Sequence, residues 1–270
     1  MTALKLAFSP CPNDTFIFHA WTHGLIAGAP ATEVTFADVD VTNTAAEQGR
    51  FDVVKVSYAA LPWLLERYRL LPCGGALGRG CGPLVLTADG RTNLDGARVA
   101  VPGERTTAYL LMRLWAAGQS PASIEVTPFA EIMPGVRDGR FDAGLVIHEA
   151  RFTYPRYGLR ALADLGQWWE QSTGRPIPLG AILARRELDA AALTEALRAS
   201  VDYAFAHPQA SAQYVAAHAD EMDPDVQRQH IELYVNAFSR DLGEEGYEAI
   251  EVLLGRARQA GLVPAFGPLR

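Results

Sequence analysis

His148 closes the apolar run Ala143-Gly144-Leu145-Val146-Ile147. Imidazole titrates near ~6.5 in model compounds, so a histidine at the mouth of a buried strand can take a proton at neutral pH. A histidine that only ends a strand on a backbone carbonyl has the same local sequence. Glu149 follows directly, but strand neighbours point to opposite faces, so it orients His148 only if the chain turns there. Ser9, Asn13, Asp14, Lys55 and Ser57 follow two other strand-like runs, and Thr106 and Thr107 follow a third. Strand ends leading into helix N-termini offer backbone N–H groups and a partial positive charge, which suit a carboxylate or another oxyanion. Each of these residues alone reads as a helix cap. As a converging set they read as a site.

Other groupings carry less chemistry. After His148 comes Ala150-Arg151-Phe152-Thr153-Tyr154-Pro155-Arg156-Tyr157, with two arginines and three aromatics. Arg151 and its neighbours could line an anionic, aromatic ligand, or the rings could pack beneath a surface loop. Both readings stand. The run Gly74 to Gly80 lacks the Lys-Ser/Thr ending of a phosphate loop and precedes a strand. His19 and His23 share a helix face but have no third ligand, so no metal is expected, and an exposed face is the better reading. No Gly-x-Ser-x-Gly elbow occurs, and no cysteine has a neighbouring base.

The elements that must position these residues fall into two similar passes. Leu4–Ser9, Glu33–Val39 and Phe51–Val56 read as strands, with helices over Thr15–Ile26, Thr42–Glu47 and Tyr58–Arg67. Asn13 or Asp14 would cap the first of these helices. Ala97–Val101, Ile124–Pro128 and Phe141–Ile147 repeat the strands, with helices opened by Thr106–Thr107 and over Ala130–Arg137. Gly-Arg-Phe-Asp occurs at 49–52 and again at 139–142, an offset of 90. From Leu188 onward the pattern is helical only: 189–206, 209–218, 224–238 and 244–260. The expected architecture is a two-lobed α/β fold with a ligand cleft between the lobes and a C-terminal helical return. The larger, discontinuous lobe would be 1–95 plus 186–270, and the smaller 96–185. The chain would return through the apolar strand Leu179–Leu183.

The 270 residues suffice for a core without disulfides, and the three cysteines (Cys11, Cys73, Cys81) have no CxxC spacing. Reduced thiols suit a cytoplasmic address. A net charge of −7 without basic runs speaks against nucleic acid and anionic membranes. The apolar run in MTALKLAFSPCPND is too short for a signal peptide, and no stretch approaches ~18 apolar residues.

The strings SPCPNDTFIFHA, VVKVSYAA, GGALGRGCGPLV, VAVPGERTTAYLL, HEARFTYPRYGL, LGAILARR and YVNAFSRDLGEEG occur in order along nearly the whole chain. With them the chain closely resembles the 1,4-dihydroxy-6-naphthoate synthase family of the futalosine route to menaquinone. The resemblance implies a periplasmic-binding-protein-like fold of the type II kind, used by a cytoplasmic enzyme. It implies a lyase converting cyclic dehypoxanthinylfutalosine to 1,4-dihydroxy-6-naphthoate, with no cofactor. It places the family's base at His148 and its substrate contacts at Lys55, Val56 and Ser57 and at the Thr106–Thr107 helix start. Asn13, Asp14 and Arg151 complete the candidate set. The expected partner is a small-molecule carboxylate, with the chain a monomer or weak homodimer. Competing readings are a solute-binding protein and the chorismate dehydratase of the same pathway.

Overall fold

The computed structural model describes residues 3–270; Met1 and Thr2, where the segment read as lacking an export signal begins, lie outside the described residues. The chain divides into two compact units, Met1–Gly78 with Pro178–Arg270, and Arg79–Ile177.

The first unit opens with β1 (Leu4–Phe8), α1 (Pro12–Thr22), β2 (Thr32–Phe36), α2 (Val39–Glu47) and β3 (Val53–Ser57). Next come a short 3-10 turn, α3 (Leu61–Leu64), β4 (Tyr68–Leu70) and β5 (Ala76–Gly78). The second unit holds β6 (Leu84–Thr87), β7 (Arg98–Val101), α4 (Thr107–Trp115), β8 (Ser123–Val126), α5 (Phe129–Arg137) and β9 (Ala143–Val146). It ends with α6 (Ala150–Thr153), β10 (Arg160–Asp164) and α7 (Leu165–Thr173). The chain returns through β11 (Ile177–Arg185) to α8 (Ala190–Ala206), α9 (Ala212–His218), α10 (Pro224–Tyr234), α11 (Ala237–Arg240) and α12 (Gly243–Gln259).

Each unit has its own sheet, in the order β2-β1-β3-β11-β4 with β5 also on β11, and β10-β6-β9-β7-β8. In the first, β1 pairs in parallel with β2 and β3, and β11 runs antiparallel to β3. In the second, β7 pairs in parallel with β8 and β9, and β6 runs antiparallel to β9. The doubled layout read from the sequence is therefore a doubled topology. In each unit the first parallel strand sits in the middle, the next pairs on one side and the third on the other.

The repeated Gly-Arg-Phe-Asp does the same work twice. Gly49 and Gly139 adopt φ of 67° and 75°, a left-handed helix stop that suits glycine. Asp52 then clamps the start of β1: its carboxylate accepts the Lys5 N–H at 2.8 Å, and its own N–H donates to the Lys5 carbonyl at 2.8 Å. Asp142 repeats this on β7, accepting the Arg98 N–H at 2.8 Å and donating to the Arg98 carbonyl at 2.9 Å.

The first core gathers Leu6, Phe8, Phe18, Trp21, Ile182, Leu197 and Val201, with Phe8 stacked on Phe18 at 4.5 Å. The second gathers Leu86, Ala100, Ile132, Val136, Phe141 and Val146. Burying such side chains supplies about 1.5–3 kcal/mol each before entropy is counted.

Several elements differ from the sequence reading. The units divide at 78/79 and 177/178 rather than at 95/96 and 185/186. The reason is pairing: β6 hydrogen-bonds β9 and β10, and β11 pairs with β3, β4 and β5. The helix expected over Tyr58–Arg67 shrinks to a 3-10 turn and one α turn, because Tyr68 enters β4. The helix expected over 224–238 breaks where Asn236 forms a capping box and starts α11. The last helix begins at Gly243.

Candidate functional site

In open α/β sheets, ligands bind beyond the carboxyl ends of the strands where successive connections leave in opposite directions. In the first sheet that point lies between β1 and β3, and in the second between β7 and β9. The residues that follow β1 and end β3 are Ser9, Asn13, Asp14, Lys55 and Ser57; those that follow β7 and β9 are Thr106, Thr107 and His148.

In the first unit the structure joins its candidates into one buried network. Asp14 is 2% exposed and Lys55 5%. Lys55 Nζ pairs with Asp14 Oδ1, Ser9 Oγ donates to Asp14 Oδ2 at 2.8 Å, and Asn13 Nδ2 donates to Asp14 Oδ1 at 2.8 Å. Asp14 thus accepts from three donors, one of them a cation, and acts as a carboxylate that holds Lys55. This differs from the sequence expectation that Asn13 or Asp14 caps α1. The N-cap is Cys11, with no side-chain cap bond, and both expected caps sit inside the helix with their side chains in the network. Gly180 makes room for the lysine, since a Cβ there would lie 2.6 Å from Lys55 Cε. Lys55 and Ser57 share one face of β3, and Val56 on the other is fully buried. Val56 can therefore meet a ligand only through its backbone.

Ser57 is pinned from α2. Its N–H donates to Asn43 Oδ1 at 2.8 Å, and its Oγ accepts from Asn43 Nδ2 at 3.1 Å. With an acceptor role already filled, the Ser57 hydroxyl is left to point its proton elsewhere. Asn43, fully buried, escaped the sequence reading, as did His230 on α10, whose Nε2 lies 2.9 Å from Asn13 Oδ1. A polar residue at a core position of an amphipathic helix is the signal for both. Tyr58, next to Ser57, is fully buried, and burial raises its phenol well above the ordinary value, so it stays a neutral hydroxyl.

In the second unit Thr106 caps α4 as expected: its Oγ1 accepts the Tyr109 N–H at 3.1 Å and donates to the Gly103 carbonyl at 2.7 Å. Its hydroxyl is committed to the cap, and the first-turn N–H groups of Thr107 and Ala108 complete the helix mouth. Thr107 is 2% exposed. His148 is half-buried with its ring 5.5 Å from that of Phe129. Its φ is 57°, and it is the one non-glycine residue with positive φ among the described residues. The left-handed region costs an L-residue roughly 1–2 kcal/mol, and such strain concentrates at functional sites. The chain does turn here: β9 ends at Val146, and Phe152 N–H closes onto the Glu149 carbonyl at 2.8 Å to start α6.

Arg151 is turned inward within its unit, donating to the Gly82 carbonyl at 2.7 Å and to Asp164 Oδ2 at 2.6 Å. Tyr154 and Tyr157 pack on the second core, so two of the loop's three aromatics follow the packing reading. Of the histidine pair, His23 is exposed but His19 is buried, a correction to the exposed face expected. Tyr214 of α9 lies 5.6 Å from the His19 ring, and burial with the neighbouring His23 lowers the His19 pKa.

A family model described as menaquinone biosynthesis matches residues 4–259. A 1,4-dihydroxy-6-naphthoate synthase from Streptomyces coelicolor is 63% identical over 271 residues, covering 98% of this chain and 96% of that one. Its counterpart from Thermus thermophilus is 50% identical over 273 residues, covering 100% and 99%. A solved Candida albicans protein described as having the generic periplasmic binding protein fold superposes with a TM-score of 0.73 at 14% identity, covering 99% of this chain and 92% of that one. That likeness shows the fold, a periplasmic-binding-protein-like α/β fold with two sheets. Sequence likeness over the full chain shows the rest: this chain belongs to the menaquinone-biosynthesis family.

Proposed function

We propose that the chain is a 1,4-dihydroxy-6-naphthoate synthase, a lyase that converts cyclic dehypoxanthinylfutalosine to 1,4-dihydroxy-6-naphthoate and releases the sugar-derived fragment. The observation that carries the site assignment is His148, a strained left-handed histidine at the carboxyl end of β9. We assign it as the general base. It removes a proton acidified by a neighbouring carbonyl; elimination and aromatisation follow. Aromatisation supplies much of the driving force, so the protein has to position one base and stabilise one developing negative charge. The α4 mouth at Thr107 and the Ser57 hydroxyl, whose acceptor role Asn43 fills, are assigned as donors for an oxyanion. Lys55 supplies a cation whose position Asp14 fixes. Thr106 acts through the cap and Val56 through its backbone, while Arg151, held by Gly82 and Asp164, braces the loop that carries His148 and stays a candidate for the substrate's carboxylate.

A single small-molecule carboxylate is the partner this reading requires. No helix among the described residues is long and apolar enough to cross a membrane. A cytoplasmic address and a monomer or weak homodimer belong to the same proposal. The test is turnover by the purified chain of cyclic dehypoxanthinylfutalosine beside chorismate. Product from the first alone supports the synthase. Product from chorismate alone supports the dehydratase, and tight binding without turnover supports a carrier.

A further inference from the structure

We infer that His230 is a positioning residue that sets the Asp14–Lys55 pair through Asn13. The inference rests on the site proposed above and extends it to a side chain that no motif marks. His230 is 1% exposed on α10, far in sequence from the network it touches. Asn13 is 7% exposed and lies between His230 and Asp14.

The direction of every bond follows from Asp14. A carboxylate only accepts, so the Asn13 atom 2.8 Å from Asp14 Oδ1 is the amide nitrogen, and the amide oxygen must face His230. An amide oxygen only accepts in turn, so His230 Nε2 carries the proton across the 2.9 Å contact. A wrong tautomer, with the proton on Nδ1, would set a nitrogen lone pair against the amide oxygen. The amide would then tend to rotate, turning its oxygen towards the Asp14 carboxylate. His230 thus holds Asn13 in the one orientation that adds a donor to Asp14. That donor keeps Asp14 Oδ1 where Lys55 reaches it and leaves the ammonium aligned on the face it shares with Ser57. Ring contact with Tyr234 at 4.6 Å, one turn along α10, holds the imidazole in place.

The first test reads the tautomer directly. Nitrogen-15 NMR of the histidine rings in the unsubstituted protein should show His230 protonated on Nε2, and Asn13→Ala should perturb that ring. An Nδ1–H tautomer would overturn the inference. This readout needs no substrate, so it stands or falls separately from the proposed reaction.

The second test uses turnover. Gln places an N–H near the position of Nε2, whereas Asn mimics Nδ1. His230→Gln should therefore stay within about threefold of the parent kcat/KM, and His230→Asn and His230→Leu should fall about tenfold, the loss of ~1.4 kcal/mol. In an Asn13→Ala background His230→Leu should cost less than about twofold, because the path is already cut. Equal losses for Gln and Asn, or additive losses in the double variant, would reduce His230 to a core residue.

Discussion

His148 and Lys55 were legible in the sequence for different reasons. His148 stood out as a polar stop after an apolar strand, and Lys55 as one of a set at strand ends and as a contact implied by the family resemblance. Asn43 and His230 were only half legible: each is a polar residue at a core position of a helix, but their partners lie 14 and 217 residues away, so nothing local says what they hold. The left-handed backbone of His148 was likewise invisible, because only glycine marks that conformation strongly in a sequence. That strain is testable. His148→Gly and His148→Asn fit the left-handed region, whereas His148→Ala does not, so the Gly variant should exceed the Ala variant in stability by about 1 kcal/mol in denaturant unfolding. Equal stabilities would show no strain at this position. For the buried pair, Lys55→Met strands the Asp14 carboxylate and should destabilise by about 3 kcal/mol. Adding Asp14→Asn should restore most of that stability while substrate affinity stays lost. Recovery of both would make the pair structural only.

At the scale of elements, the repeated Gly-Arg-Phe-Asp was visible as a string, but its work was not. The string stops a helix and clamps a residue at the start of the neighbouring strand, Lys5 on β1 and Arg98 on β7, a pairing that depends on β1 and β7 being middle strands. The Asp142 clamp predicts an acid signature. Hydrogen bonds from Arg98, side chain first and then backbone, hold the Asp142 carboxyl at about 2, below the ordinary 3.8. A depressed carboxylate adds stability above its unfolded pKa and loses it as pH falls, here between about 4 and about 2. Asp142→Asn should therefore lower stability at neutral pH and remove that part of the acid sensitivity, as read by unfolding curves at pH 7 and pH 2.5. A parent and variant with parallel pH profiles would contradict the clamp. The start of α4 makes a separate claim. Thr107→Val should weaken substrate binding more than it lowers stability, whereas Thr106→Val should do the reverse, because only Thr106 caps. Calorimetry of binding beside thermal unfolding checks both.

Across the whole molecule, the two-pass grammar gave the architecture, while the unit boundaries were missed because β6 and β11 are defined by pairing, which composition does not encode. Each unit carries a buried thiol that reports on it. Burial raises Cys73 in the first unit and Cys81 in the second to about 12 each. Both should resist alkylation in the native protein at pH 8 and react only when their own unit opens, which peptide mapping after pulse labelling would show. Rapid native labelling of either would contradict that burial. The reaction itself is tested most directly by incubating the purified chain, and its His148→Asn variant, with cyclic dehypoxanthinylfutalosine and following 1,4-dihydroxy-6-naphthoate. The parent should form product with a rate that falls on the acid side. The folded variant should keep much of its substrate affinity but turn over roughly 10²–10⁴ more slowly, without that acid limb. No product from the parent would contradict the synthase reading, and near-normal turnover by the folded variant would remove His148 from the chemistry.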